Sequence, residues 1–347
     1  MKKNMFILWG FIALVFCNNV AMAQGDPKVN LRVEARGDYH YEEIAGENNH
    51  NSTGFRGSQL NLRLNVEIND SWSYAYRQRM AKPNTDASYF DAVDHINLTY
   101  ATGKWTFIGG KQTVAVGGYE YDRAPIDFYF GSEYWYNMAC YQWGVNARYT
   151  FGTEGNNALN IQLVSSPFAN MHIVDGSYNP KDMYAYNVLW AGKYGWLDIL
   201  HSVNVLEYVP GKYVGFLALG HQFNMGPVSL QLDWMSRTTI KKVNLIDDYS
   251  VMADLSWKAL KSLNVFGKVT YDVNKNNFAD YCVLPGTEVT RVGAGVEFFP
   301  IEDSQDVRLH CGYSYAWGKN KPSGTVQNDQ SFFTIGATWK MDILKKE

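Results

Sequence analysis

Much of this chain repeats every second residue. In Leu60-Asn61-Leu62-Arg63-Leu64-Asn65-Val66-Glu67-Ile68 each apolar residue is followed by a polar or charged one. Successive side chains of a strand point to opposite faces, so this segment predicts a strand with one apolar and one wet face. The same pattern recurs in Val228 to Trp234, Tyr249 to Trp257, Leu263 to Val273, Val307 to Trp317 and Phe333 to Met341. Read along the whole chain, it predicts sixteen strands, near 28–40, 55–68, 71–80, 91–101, 105–115, 141–150, 158–166, 184–192, 196–207, 213–223, 228–239, 248–257, 263–273, 288–299, 305–317 and 331–341. Many strand ends carry Trp or Tyr, among them Trp72, Tyr100, Trp105, Tyr149, Trp190, Trp234, Trp257, Trp317 and Trp339. Apolar strand centres with aromatic ends are what a lipid-facing band between two interfaces requires.

The connections sharpen this. Seven are tight: Asn69-Asp70, Thr102-Gly103-Lys104, Gly152 to Asn157, Lys193-Tyr194-Gly195, Asn224 to Pro227, Lys258 to Ser262 and Pro300 to Ser304. Between them lie mostly longer polar connections, at 41–54, 81–90, 116–140, 167–183, 208–212, 240–247, 274–287 and 318–330; the one at 208–212 is short for its place in the alternation. Short periplasmic turns and long external loops are the asymmetry of an outer-membrane barrel. The expected fold class is therefore all-β, a transmembrane antiparallel β-barrel of sixteen strands. Closure satisfies every backbone N–H and C=O without a greasy segment, because the inner face stays wet. A soluble β-sandwich also alternates, but it buries its apolar face and needs no aromatic strand ends.

Composition agrees. The 347 residues are 46% hydrophobic, 15% aromatic and 19% charged, with 30 Gly. Mean hydropathy is only −0.29, the average expected when half of each strand faces water. Past the first two dozen residues no run of about 18 apolar residues exists, which excludes a bundle of membrane helices. The start of the chain carries Lys2 and Lys3, an apolar stretch from Met5 to Cys17, and Ala21-Met22-Ala23 before Gln24. That reads as a secretory signal peptide over 1–23, leaving 24–347 as a single barrel domain. Its removal takes two lysines and no acids from 31 Lys+Arg and 34 Asp+Glu, so the remainder is net negative by five. With no basic cluster, nucleic acid is not an expected partner. Cys140, Cys282 and Cys311 remain, too few and too far apart for a disulfide framework. No CxxC or HExxH suggests a metal, and no cofactor is implied. No GxSxG or other nucleophile motif accompanies the histidines, so no enzymatic activity is expected.

Gly109-Gly110-Lys111-Gln112 through Gly117-Gly118-Tyr119-Glu120-Tyr121-Asp122-Arg123-Ala124-Pro125-Ile126-Asp127 resembles bacterial porins of the phosphate-selective porin O and P type, as does Gly57-Ser58-Gln59-Leu60-Asn61-Leu62-Arg63. The likeness is narrowest to the Bacteroidetes branch. It implies a sixteen-stranded, usually trimeric outer-membrane pore for small anions or nutrients in a Gram-negative cell, with lipid and small hydrophilic solutes as its partners. It does not assign phosphate as the solute: the chain is acidic, and its basic residues are scattered instead of forming an arginine ladder. The chain also ends on Met341-Asp342-Ile343-Leu344-Lys345-Lys346-Glu347 after Trp339, where barrels often finish on an aromatic.

Facing follows strand by strand. If Leu62, Leu64 and Val66 meet lipid, Arg63 and Glu67 face the lumen. By the same reasoning Arg77, Arg79, Arg148, Asp254, Lys268, Arg291 and Arg308 face inward. Strand 105–115 is ambiguous; placing Ile108 toward lipid puts Lys111 inside. In the resembled porins the third long loop, here 116–140, folds into the barrel and narrows it. The expected eyelet sets Arg77, Arg79, Lys111 and Arg148 against the loop acids Asp122, Asp127 and Glu133, with Arg63 a further pore-lining residue; the plainer alternative is ordinary solvated lumen charges, with Arg123 pairing Asp122 or Asp127 to hold the loop. Opposed charges of this kind set ion preference. The aromatic runs Phe128-Tyr129-Phe130 and Tyr134-Trp135-Tyr136 suit an alternative, a surface adhesin or oligosaccharide-binding barrel without an open pore.

Overall fold

A computed structural model describes residues 27–81, 89–138, 140–169, 179–240, 243–275, 282–301, 303–320 and 329–346; the expected signal peptide lies outside them. The strands are β1 (Lys28–Ile44), a two-residue β2 (Glu47–Asn48), β3 (Gly54–Glu67), β4 (Trp72–Arg79), β5 (Val93–Thr102), β6 (Trp105–Thr113), β7 (Tyr141–Phe151), β8 (Asn157–Ser165), β9 (Tyr184–Tyr194), β10 (Leu197–Val209), β11 (Lys212–Met225), β12 (Val228–Thr239), β13 (Asp248–Leu260), β14 (Leu263–Asn274), β15 (Thr287–Phe298), β16 (Val307–Asn320) and β17 (Gln330–Lys346). Each long strand pairs antiparallel with its neighbours, and β1 pairs with β17 from Val29↔Lys346 to Ile44↔Gln330. The result is a closed barrel of sixteen long strands, with β2 as a small extra ladder on β1. Closure leaves no sheet edge along the barrel wall.

The alternation of connections is as expected. Tight turns such as Gly195 and Gly226 adopt φ of 66° and 64°, a conformation in which a side chain is strained and glycine is not. The odd short connection, at Pro210-Gly211, closes by Gly211 N–H donating to Glu207 Oε1 at 2.7 Å.

Directly paired residues share a face, so the register assigns inside and outside. Arg63↔Arg77↔His95 is one inward row, and Asn146 and Arg148 lie inward with Asn160 and Gln162. The outward rows carry Val145, Ile161 and Val203, all exposed. Strand β6 departs from the sequence expectation. Ile108 pairs with Thr99 and Asn146 and is inward, whereas Lys111 pairs with Ile96 and Trp143 on the outer face. Lys111 is nevertheless buried, because its Nζ donates to the Phe90 carbonyl at 2.7 Å while the Phe90 ring stands on Trp143. Moving charge off the outer face was the sequence criterion; a covering segment at the outer rim removes the need for it.

Candidate functional site

Residues 114–138 leave β6 and run across the inward side of the opposite wall. They form short helical turns at Tyr119–Asp122 and Glu133–Asn137 and a 3-10 turn at Pro125–Asp127. The approach is close where glycines meet. A Cβ on Gly117 would stand 2.6 Å from the Leu200 carbonyl, and one on Gly220 would stand 2.8 Å from Gly118 Cα. There Asp233 receives the Tyr119 and Glu120 N–H groups at 2.9 and 2.7 Å.

From this contact toward the long-loop ends of the strands the lumen wall is apolar. Val114, Val116, Tyr121, Tyr134 and Met138 of the inserted segment pack on Val164, Ala185, Leu206, Val214, Phe216, Ala218 and Met235. The expectation that inward residues stay polar fails in this sector for a plain reason: protein, not water, covers them. Burying apolar surface stabilises by about 25 cal/mol per Å², so this patch anchors the segment alongside its hydrogen bonds.

Beyond the apolar patch, ion pairs fix the rest. Glu120 accepts from Lys268 Nζ at 2.6 Å and also bonds the Ser132 hydroxyl. Glu133 pairs with Arg291 at 3.5 Å, and its N–H donates to Asp272 at 2.9 Å. Asp127 pairs with Arg308 at 2.8 Å and Lys340 at 3.6 Å. Arg36 donates to the Ile126 and Phe128 carbonyls at 3.1 and 2.7 Å while holding Asp38, which also takes His310 Nε2 at 2.7 Å. Tyr129 donates to Glu297 at 2.8 Å. Burial first, then the Glu297 carboxylate, raises the Tyr129 hydroxyl well above its ordinary value, so it remains a donor.

The expected eyelet is thus rearranged. Arg77 and Arg79 do not meet the loop acids; both sit on Asp94 of β5, at 3.5 and 2.9 Å. Arg123 pairs with Asp254 at 3.0 Å and not with Asp122 or Asp127. Arg63 pairs with Glu34 at 3.0 Å and stays 42% exposed. Asp127 and Glu133 meet Arg308 and Arg291, both inward by the strand argument but not assigned to the eyelet. Arg148 and Asp122 are exposed, and neither has an ion-pair partner among the described residues. Lys111 belongs to the outer face. The aromatic runs are used in packing: Phe128 stacks on Trp135 at 3.5 Å and beneath Lys268 at 4.6 Å. Sequence reasoning missed Asp233, Asp272, Glu297 and Asp38, which look like any polar lumen position; Gly117-Gly118 was the available signal of a close approach.

The sequence profile described as phosphate-selective porin O and P matches residues 29–217, more than half of the chain. The chain belongs to the phosphate-selective porin O and P family. Among curated proteins none matches this porin. Its fold is similar to that of the anion-selective porin from Comamonas acidovorans (TM-score 0.65, 13% identity, covering 91% of this chain and 100% of that one). It is also similar to the outer membrane channel DcaP of Acinetobacter baumannii (0.63, 14%, 92% and 99%). The trimer form of OmpT from Vibrio cholerae is a third relative in fold (0.57, 12%, 91% and 100%). This porin is an outer-membrane β-barrel channel, of a family and fold that conduct rather than catalyse.

Proposed function

We propose that this porin gives passive passage to small hydrophilic solutes with a preference for anions, and that residues 116–140 form its constriction. The observation carrying this is the unequal use of charge on the two walls. The loop acids Glu120, Asp127 and Glu133 are neutralised by Lys268, Arg308 and Arg291 on the wall that the loop covers. On the other wall Arg148 is exposed, Arg63 and Arg79 are half-buried and Arg77 is buried, and among the described residues these four form ion pairs only with Glu34 and Asp94. An anion crossing the gap meets net positive charge there, and rings of charge set ion preference. Asp122 is a loop acid with no ion-pair partner among the described residues. The pairs Arg77–Asp94 and Arg79–Asp94 take the place of the opposed wall-and-loop charges first expected.

The test is planar-bilayer conductance of the refolded porin, with reversal potential in a salt gradient and phosphate block measured together. Anion selectivity with ohmic conductance is the expected result; cation selectivity or absent conductance would sink the reading. Block by phosphate would narrow the solute to that oxyanion. Assembly as a homotrimer is part of the proposal, supported by the trimeric neighbour in fold, and mass measurement of the detergent-solubilised porin tests it. Cleavage of the leader after Ala23 is read directly from the N-terminus of the mature protein.

A further inference from the structure

The outer face of the barrel is not uniformly convex. Across β5 to β10 it holds a cavity of about 890 Å³. Two outward rows of paired residues build it. One runs Leu98, Gly109, Val145, Leu163, Tyr186, Val205, and the other Tyr100, Phe107, Ala147, Ile161, Val188, Val203. The small residues Gly109 and Ala147 lie diagonally across neighbouring strands, Gly109 opposite Val145 and Ala147 opposite Phe107, with large residues on either flank. That contrast makes a trough, and among the described residues no charged side chain lines it.

Its setting identifies what fills it. One rim holds Trp72 packed on Tyr100 at 4.7 Å, and Trp105 packed on Tyr149 at 4.8 Å continues the same level. These residues adjoin the tight turns at 69–71 and 103–104, the periplasmic side of such a barrel. Trp143 and Tyr184 stand at the other end of the same strands, both exposed. Aromatic belts at both ends mark the two lipid–water interfaces. The trough lies between them and is continuous with the lipid-facing band, so it is filled by hydrocarbon. Its rim is at the periplasmic level, so the nearest headgroups are those of that leaflet. We propose that this trough is a discrete binding site for one acyl chain of a phospholipid of the periplasmic leaflet, held more firmly than the lipid around the rest of the barrel.

Gly109 supplies a clean probe. An added Cβ there meets nothing within 4 Å, so Gly109→Leu fills the trough without disturbing the wall, and Ala147→Leu fills it from the next strand. The experiment is native mass spectrometry of the mature porin in mild detergent, titrated with phosphatidylethanolamine. The wild type is expected to retain one lipid per chain more than either variant at matched lipid, with equal ion conductance in all three. Equal retention in wild type and both variants overturns the proposal. So does a wild type that retains no lipid. A loss of oligomer in either variant without a loss of lipid also overturns it, because the trough would then belong to a second copy of the chain. A variant that fails to fold shows itself by lost heat-resistant mobility, and the other variant then carries the comparison.

Discussion

At the scale of single residues, position relative to a neighbour decides more than residue type. Arg148 and Lys111 are both basic, and both sit on strands that flank the inserted segment. Arg148 is exposed on the inner wall, whereas Lys111 faces outward and is covered by Phe90. A unit charge about 8 Å from a permeating ion in water contributes about 0.5 kcal/mol, roughly a twofold change in ion preference. Arg148→Glu changes two charges and is expected to cut anion preference about fivefold by reversal potential. Lys111→Met is expected to leave that potential unchanged. Cys140 gives a second residue-scale outcome. Burial pushes its thiol up to about 11, so at pH 8 it stays protonated and is a poor nucleophile, because the thiolate is the reactive form. Maleimide labelling of Cys140, read by peptide mass, is expected to be far slower than that of a free thiol.

At the scale of elements, the inserted segment behaves as a clamped strap. Its attachments are of two kinds, an apolar patch near its ends and ion pairs along its middle. Asp233 joins them, holding two backbone N–H groups where Gly118 touches Gly220. Asp233→Ala leaves both N–H groups without that acceptor in a buried place, at a cost of about 1–3 kcal/mol each. The expected outcome is a segment that detaches while the barrel persists. Limited proteolysis would cut within 116–138, and channel recordings would gain current noise, with strand content by circular dichroism unchanged. Intact resistance to protease would contradict the strap.

At the scale of the whole molecule, closure is the organising event. β17 carries on past Trp339, and Met341 to Lys346 pair with β1 from Val33 down to Val29 through a bulge. Arg32 grips Asp342 there at 2.6 and 2.9 Å. The β1–β17 ladder thus runs on beyond Trp339. Ending the chain at Lys340 would leave Val29 to Val33 of β1 without that partner. The expected result is a lower yield of heat-resistant barrel in refolding, read by gel mobility, while the pore selectivity of the folded fraction is retained.

The period of two, the turn residues and the aromatic strand ends were enough to determine sixteen strands, their order and the inward face of most of them. Those features are local: alternation, a turn glycine and an interfacial Trp each act within a few residues of chain. Only the tertiary structure decided which charges meet. Arg77 and Arg79 found Asp94 across a strand ladder, and Asp127 found Arg308 some 181 residues away. Such pairings depend on where a folded segment crosses a wall, which no periodicity encodes. The same holds for the apolar inner sector and for Lys111: each has the environment it has because another part of the chain, distant in sequence, displaced water from it.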